Sequence, residues 1–151
     1  KLEKTLILIK PDGVQRSLSG EILTRLEKSG LKISALKLLH VNEKLAKEHY
    51  AEHEGKPFFG DLVSYICSAP IIAISLSGPN AVEKSRSLIG KTNPLESEPG
   101  TIRGDFGLEI SRNLIHGSAS IDDANRELKI FFSENEIIDY DKSTDSWVME
   151  L

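Results

Sequence analysis

Apolar residues fall along the chain in two rhythms. Thr5 to Ile9 is a β-rich run stopped by Lys10-Pro11-Asp12-Gly13, which predicts a buried strand entering a turn. Ile22, Leu23 and Leu26 then share one helical face, with Ser19 placed to cap that helix and Gly30 to stop it. Ile33 to Val41 predicts a second strand. Asn42 caps a further helix on which Leu45, Ala46, His49, Tyr50 and His53 recur at three- and four-residue spacing. Gly55 and Pro57 break it before a short apolar helix carrying Leu62, Val63 and Ile66.

Ile71 to Leu76 is a third strand, closed by Gly78-Pro79, and Ala81, Val82, Ser85, Leu88 and Ile89 predict a helix stopping at Gly90. Lys91 to Gly104 has little periodicity, and a loop of that length in a compact domain usually serves a function. Phe106, Leu108 and Ile110 alternate as a last strand, and Ser120 with Asp123 forms a capping pattern for a helix through Phe132. Residues 133–151 form an acidic, irregular tail that contains Trp147 and Val148. Strands interleaved with helices predict a compact α/β or α+β sandwich.

Composition narrows the picture without choosing a chemistry. At 151 residues, with 39% hydrophobic and 28% charged side chains, residues 1–151 read as one globular domain able to bury a core. The balance of 19 basic against 23 acidic side chains, a formal charge of -4, does not favour bulk binding to nucleic acid or an anionic membrane. A single cysteine, Cys67, excludes an internal disulfide framework and fits a reducing compartment. The longest apolar stretches are too short to cross a bilayer and lack the flanks of a secretory signal. The expectation is a soluble, cytoplasmic protein.

Candidate chemistry gathers at a few positions. In Asn113-Leu114-Ile115-His116-Gly117-Ser118 an imidazole sits between an apolar pair and a glycine, just ahead of a helix. Histidine is the side chain most readily used as a neutral nucleophile or base, and the glycine would let a ligand approach the backbone. The competing reading is a buried structural histidine. Glu127 shifts the balance: its helical neighbours Asp123, Ala124, Ile130 and Phe131 include no base, so it borders the buried face without a helical partner. A carboxylate so placed needs a tertiary donor, and a histidine N–H supplies one while fixing the tautomer. Lys10, Arg86 and Arg103, with Thr92 and Asn113, are each ordinary surface residues when taken singly. Together they would suit phosphate oxygens.

Three other strings carry less. His49-Tyr50-Ala51-Glu52-His53 matches the zinc-site pattern H-x-x-E-H, yet the chain offers no clear third ligand and is small for a protease cleft. Asp105-Phe106-Gly107 spells a kinase triplet without the glycine-rich or catalytic loops that give it meaning. Gly90-Lys91-Thr92 resembles the end of a phosphate loop, but Ser85 stands where that loop needs glycine.

Taken in order, these stretches resemble the nucleoside diphosphate kinase family. The resemblance runs from about Thr5 to Tyr140, through Ile9 to Arg16, Glu48-His49-Tyr50, Lys56 to Phe59, Thr92-Asn93-Pro94, Pro99 to Phe106 and Asn113 to Ser118. It implies an α+β fold: a ferredoxin-like antiparallel sheet, βαββαβ, with helices on one face and a long loop before the last strand. It implies a double-displacement phosphoryl transfer in which His116 accepts the γ-phosphoryl of a nucleoside triphosphate and passes it to a nucleoside diphosphate. By the same matching, Glu127 and Ser118 orient the ring, Tyr50 lies beside it, and Lys10, Arg86, Arg103 and Thr92 bind phosphates. Asn113 contacts the sugar and Phe58 stacks on the base, which implies broad base tolerance.

The resemblance further implies Mg²⁺ held mainly by nucleotide phosphates and water, with no dedicated metal-ligating residues. It implies a homo-oligomer, with the tail to Trp147 pointing to a hexamer over a tetramer. Departures from the family pattern are Ala119, where aspartate is frequent, and Ser17-Leu18-Ser19, where a glycine-containing stretch is usual. Two alternatives remain on the residues alone: a catalytically silent nucleotide-binding or assembly protein of the same fold, and a zinc hydrolase built on His49 and His53.

Overall fold

The first strand sets the plan. In the computed structural model, which describes residues 2–150, β1 (Leu2–Ile9) is buried at every position from Thr5 to Ile9. It is followed by α1 (Pro11–Gln15), α2 (Ser19–Lys28), β2 (Lys32–Leu39), α3 (Glu43–His49) and α4 (Phe59–Ile66). Then come β3 (Ile71–Pro79), α5 (Ala81–Ile89), α6 (Ile102–Phe106), β4 (Ile115–Gly117) and α7 (Ile121–Phe131). The sheet order is β2-β3-β1-β4, with every neighbouring pair antiparallel. This is the expected α+β, ferredoxin-like topology, with α3 and α4 between β2 and β3.

Helices cover both faces of this sheet, not one. Alternation along β1 sends Leu6 and Leu8 into a core with Ala46 of α3, Val63 and Ile66 of α4, and Leu128 and Phe131 of α7. Ile7 and Ile9 go to the opposite core, with Ile22 and Leu26 of α2, Ala81 and Ile89 of α5, and Ile102 of α6. A central strand buried on both sides must read as a continuous apolar run, and Leu6 to Ile9 does.

Several local expectations change. Phe106, Leu108 and Ile110 are not a strand: Phe106 ends α6 beneath the Arg25 guanidinium, 4.7 Å from its ring centre, and Leu108 and Ile110 are exposed. Their alternation records no burial. The fourth strand is Ile115–Gly117, too short for any period to show. The stretch from Lys91 to Gly104 is not structureless, since it holds a 3-10 turn at Pro94–Glu96 and the start of α6, capped by Thr101. Ser19 is the first residue of α2, and its side chain makes no cap. Asn42 and Ser120 do cap, accepting the amides of Leu45 and Asp123.

Candidate active site

The site begins where β1 ends. Lys10 is followed by Pro11 at the first position of α1, where the missing amide is harmless. The Lys10 amide donates to the carbonyl of Leu114 at 2.8 Å, and the Leu114 amide donates to Asp12 Oδ2 at 3.0 Å. Leu114 is fully buried yet has φ 72°, a left-handed conformation that a leucine keeps only when its surroundings enforce it. The clasp extends further, because the Tyr65 hydroxyl donates to Asp12 Oδ1 at 2.7 Å and accepts the Asp12 amide at 3.0 Å. Gly13 makes room for the approach: a Cβ there would lie 3.0 Å from the Leu114 carbonyl and 2.7 Å from Ile9.

Reversing the chain at Leu114 starts β4, in which His116 pairs with Leu8 of β1. Strand alternation buries Ile115 in the core shared with α2 and α5, and sends the His116 ring to the other face, where α3 and α7 pack. There Glu127, 5% exposed on α7, places Oε1 3.0 Å from His116 Nε2 and 2.6 Å from the Ser118 hydroxyl. Burial alone would raise the Glu127 carboxyl. The hydrogen bonds from His116 and Ser118 outweigh it and hold the pKa at about 2, so the group stays anionic. An anion accepts only, so Nε2 of His116 carries the proton and Nδ1 keeps the lone pair in the neutral ring.

Cationic groups converge on the same ring. Lys10, Arg86, Thr92, Arg103, Asn113, His116 and Gly117 line a cleft of about 210 Å³ that contains no carboxylate among its lining residues. Arg103 is nearly buried and donates to the carbonyls of Asn113, Gly90 and Ile115. Those three bonds leave two of its five N–H groups free. Burial and then the neighbouring Arg86 lower Arg103 to about 10, still charged at neutral pH. Lys10 donates to Asn113 Oδ1 at 2.9 Å, and Asn113 Nδ2 donates to the Thr92 carbonyl at 3.0 Å. Burial, then Arg103, lowers Lys10 to about 8 against the opposing pull of Asp12. Arg86 reaches the Gly117 carbonyl from α5. A cation-lined recess this small accommodates phosphate groups and not a whole nucleotide.

The sequence-derived residues divide accordingly. His116, Glu127, Ser118, Lys10, Arg86, Arg103, Thr92 and Asn113 come together. Tyr50 stands one step back, tilted against His49 with ring centres 4.7 Å apart, and its hydroxyl is pushed up to about 12 by burial and then by Glu127. Phe58 lies outside the cleft at the start of α4, 45% exposed, with its ring 5.4 Å from that of His53. Gly117 lines the cleft and also lets α5 pack, since a Cβ there would strike Ile89 Cδ1 at 2.6 Å. The sequence reading missed Asp12 and Tyr65, whose roles depend on contacts across the fold. It took His49 only as half of the H-x-x-E-H string, whereas the ring lies perpendicular to that of His116 at 4.9 Å, packs on Phe131, and is kept neutral by burial.

The chain is similar to known proteins along nearly its whole length. The family model described as nucleoside diphosphate kinase matches residues 3–137. The chain is 54% identical over 147 residues to a nucleoside diphosphate kinase of Macrococcus caseolyticus, covering 97% of this chain and 99% of that one. It is 50% identical over 149 residues to that of Archaeoglobus fulgidus, covering 99% of each. Among solved structures, a nucleoside diphosphate kinase from Halobacterium salinarum in complex with CDP superposes with TM-score 0.96 at 47% identity, over 99% of this chain and 100% of that one.

Proposed function

Since the chain belongs to the nucleoside diphosphate kinase family, a phosphotransferase family, we infer that it moves the γ-phosphoryl of a nucleoside triphosphate to a nucleoside diphosphate through His116. The supporting observation is the His116 to Glu127 contact at 3.0 Å beside a cation-lined cleft. Nδ1 of His116 attacks the γ-phosphorus; the N–P bond forms as the bond to the β-phosphate oxygen breaks, and that oxygen keeps the electron pair. The ring becomes cationic as it loses its lone pair, and Glu127 offsets that charge through the Nε2 proton. A β-phosphate oxygen of the incoming diphosphate then attacks the same phosphorus, and the neutral ring leaves. Lys10, Arg86 and the free N–H groups of Arg103 neutralise the phosphate oxygens, while Thr92 and Asn113 hold the phosphate and sugar end.

Phe58 offers an exposed ring face for the base, an interaction without a hydrogen-bond code, so base tolerance is broad. The cleft supplies cations and neutral oxygens, not the carboxylates that a resident Mg²⁺ requires. Mg²⁺ therefore belongs to the substrate, as the Mg²⁺–nucleotide complex. A homo-oligomer, read as a hexamer, is supported by the exposed Leu36 and Leu38 on edge strand β2 and by Leu95, Leu108 and Trp147, each more than four-fifths exposed. Among the described residues no helix is long and apolar enough to cross a membrane, and a cytoplasmic location for the single domain accords with the lone cysteine.

Intact mass after brief mixing with ATP and Mg²⁺ tests the reading. One phosphoryl group should appear per chain, labile to acid and stable to alkali, and His116→Ala should lose it while still binding nucleotide. Label on serine alone, or unchanged turnover in His116→Ala, refutes the assignment.

A further inference from the structure

Three side chains of metal-ligating type meet at His116, which lines the cleft, and behind it at His49 and Glu127. One donor atom each from His49, His116 and Glu127 lies within 4.8 Å of the others. They come from α3, β4 and α7, so the fold and not helical spacing brings them together. His49 is 4% exposed, and its Nδ1 has no hydrogen-bond partner among the described residues. An unpartnered buried ring nitrogen calls for an explanation, and it is also a vacant ligand position. His116 lines the cleft, which gives an ion its path in.

We propose that His49, His116 and Glu127 form a site for a borderline divalent cation of the Zn²⁺ class, and that loading it blocks phosphoryl transfer. Two imidazoles and a carboxylate are a donor set that zinc takes in open, four-coordinate sites, leaving one position for water, and the proton shared by His116 Nε2 and Glu127 is released to solvent as the ion binds. Bonds of about 2.0–2.2 Å place the donor atoms roughly 3.3 Å apart. The donor atoms, now up to 4.8 Å apart, draw in by about 1.5 Å on loading. Mg²⁺ prefers oxygen donors and keeps its waters, so the working nucleotide complex does not compete for this set. His53, the second histidine of the H-x-x-E-H string, takes no part: it stands beside Glu52 and Lys56. The site differs from the helical chelate that the string implies. Blockage rests on His116 being the phosphoryl acceptor, whereas binding does not.

The full-length protein is titrated with Zn²⁺ and separately with Co²⁺, without nucleotide. One ion per chain by equilibrium dialysis and the visible bands of four-coordinate cobalt are expected, with transfer lost and then restored by a chelator. His49→Phe keeps an aromatic ring against Phe131 while removing a ligand, and should bind zinc at least about tenfold more weakly. Glu127→Gln should weaken cobalt binding by a similar factor, which decides the matter if His49→Phe does not fold. His53→Asn should bind as wild type does. Unchanged zinc binding in His49→Phe, its loss in His53→Asn, or cobalt that keeps the spectrum of the hydrated ion overturns the proposal. Zinc bound at this site without loss of transfer refutes the blockage. Failure of His116 to gain a phosphoryl mass refutes the catalytic reading alone, and the cobalt spectrum still decides the site.

Discussion

Asp12 accepts the backbone amide of Leu114 at 3.0 Å, and that bond pins a fully buried leucine at φ 72° between the cleft's asparagine and its histidine. Without it the amide is buried unpaired and the left-handed turn loses its restraint. Asp12→Ala is expected to lower stability by roughly 1–3 kcal/mol, the scale of a lost hydrogen bond to a charged group. It should also slow transfer by about tenfold to a hundredfold, because Lys10, Asn113 and His116 all hang from this clasp. Tyr65→Phe removes only the 2.7 Å bond to Asp12 and the acceptor for its amide, and should act in the same direction with a smaller effect. Urea unfolding with parallel turnover measurements checks both, and a wild-type midpoint and rate in Asp12→Ala would show the clasp to be idle.

Lys10 should make nucleotide affinity depend on pH. With its pKa lowered from 10.5 to about 8, chiefly by burial and next by Arg103, it is about half deprotonated near pH 8 in the free enzyme. Bound phosphates favour the charged form, so binding takes up a proton there and weakens as pH rises. The folding term has the opposite slope. Between about pH 8 and 10.5 the unfolded chain holds more protons, so this group makes stability increase with pH across that window. Calorimetry of nucleoside diphosphate binding near pH 8, in buffers of different ionisation heat, should show uptake of a fraction of a proton. Lys10→Arg should abolish it, and uptake that persists in that variant assigns the proton elsewhere.

How much of this was written in the sequence depends on the range of the signal. β1 was legible because Leu6 to Ile9 is apolar on both faces, and the caps at Asn42 and Ser120 because capping is local. The His116 and Glu127 pairing was foreshadowed by a carboxylate with no helical partner on a half-buried face. β4 was not legible, since three residues carry no period, and the alternation of Phe106, Leu108 and Ile110 imitated a strand that exposed side chains do not form. Helices on one face were expected, and only packing shows that they cover both and which helices take each side. Asp12 and Tyr65 were silent because their meaning lies in partners 102 and 53 positions away, Leu114 for Asp12 and Asp12 for Tyr65, and the packing of His49 on His116 was masked by the H-x-x-E-H string it shares with His53.

Phe58 should act on binding and not on chemistry. Its exposed ring lies outside the cleft, so Phe58→Ala leaves His116, Glu127 and the cations in place. The loss expected is that of one base–aromatic stack, about 1–3 kcal/mol, appearing as a raised KM with kcat largely kept. Because every base offers a π face, ADP, GDP and CDP should lose affinity to similar degrees. A loss confined to one base would mean that hydrogen bonds, and not stacking, read the nucleoside.

Glu127 should leave its mark in both rate and acid stability. Burial by itself disfavours the anion, but the hydrogen bond and charge of His116, together with Ser118, bring the pKa from 4.5 to about 2. The folded chain therefore binds fewer protons than the unfolded one between those values. The contribution to stability is complete above pH 4.5 and is lost as pH falls toward 2. Glu127→Gln should flatten that part of the acid unfolding profile, and Glu127→Ala should slow transfer by about tenfold to a thousandfold, as for a lost ring-orienting partner. The two variants also separate two roles. Glutamine still presents an oxygen to the Nε2 proton, so it recovers rate over alanine if orientation dominates, whereas equal rates assign the effect to the negative charge that meets the ring as phosphorus arrives. An acid profile unchanged in Glu127→Gln, with a wild-type rate in Glu127→Ala, would leave His116 without a partner that orients its ring.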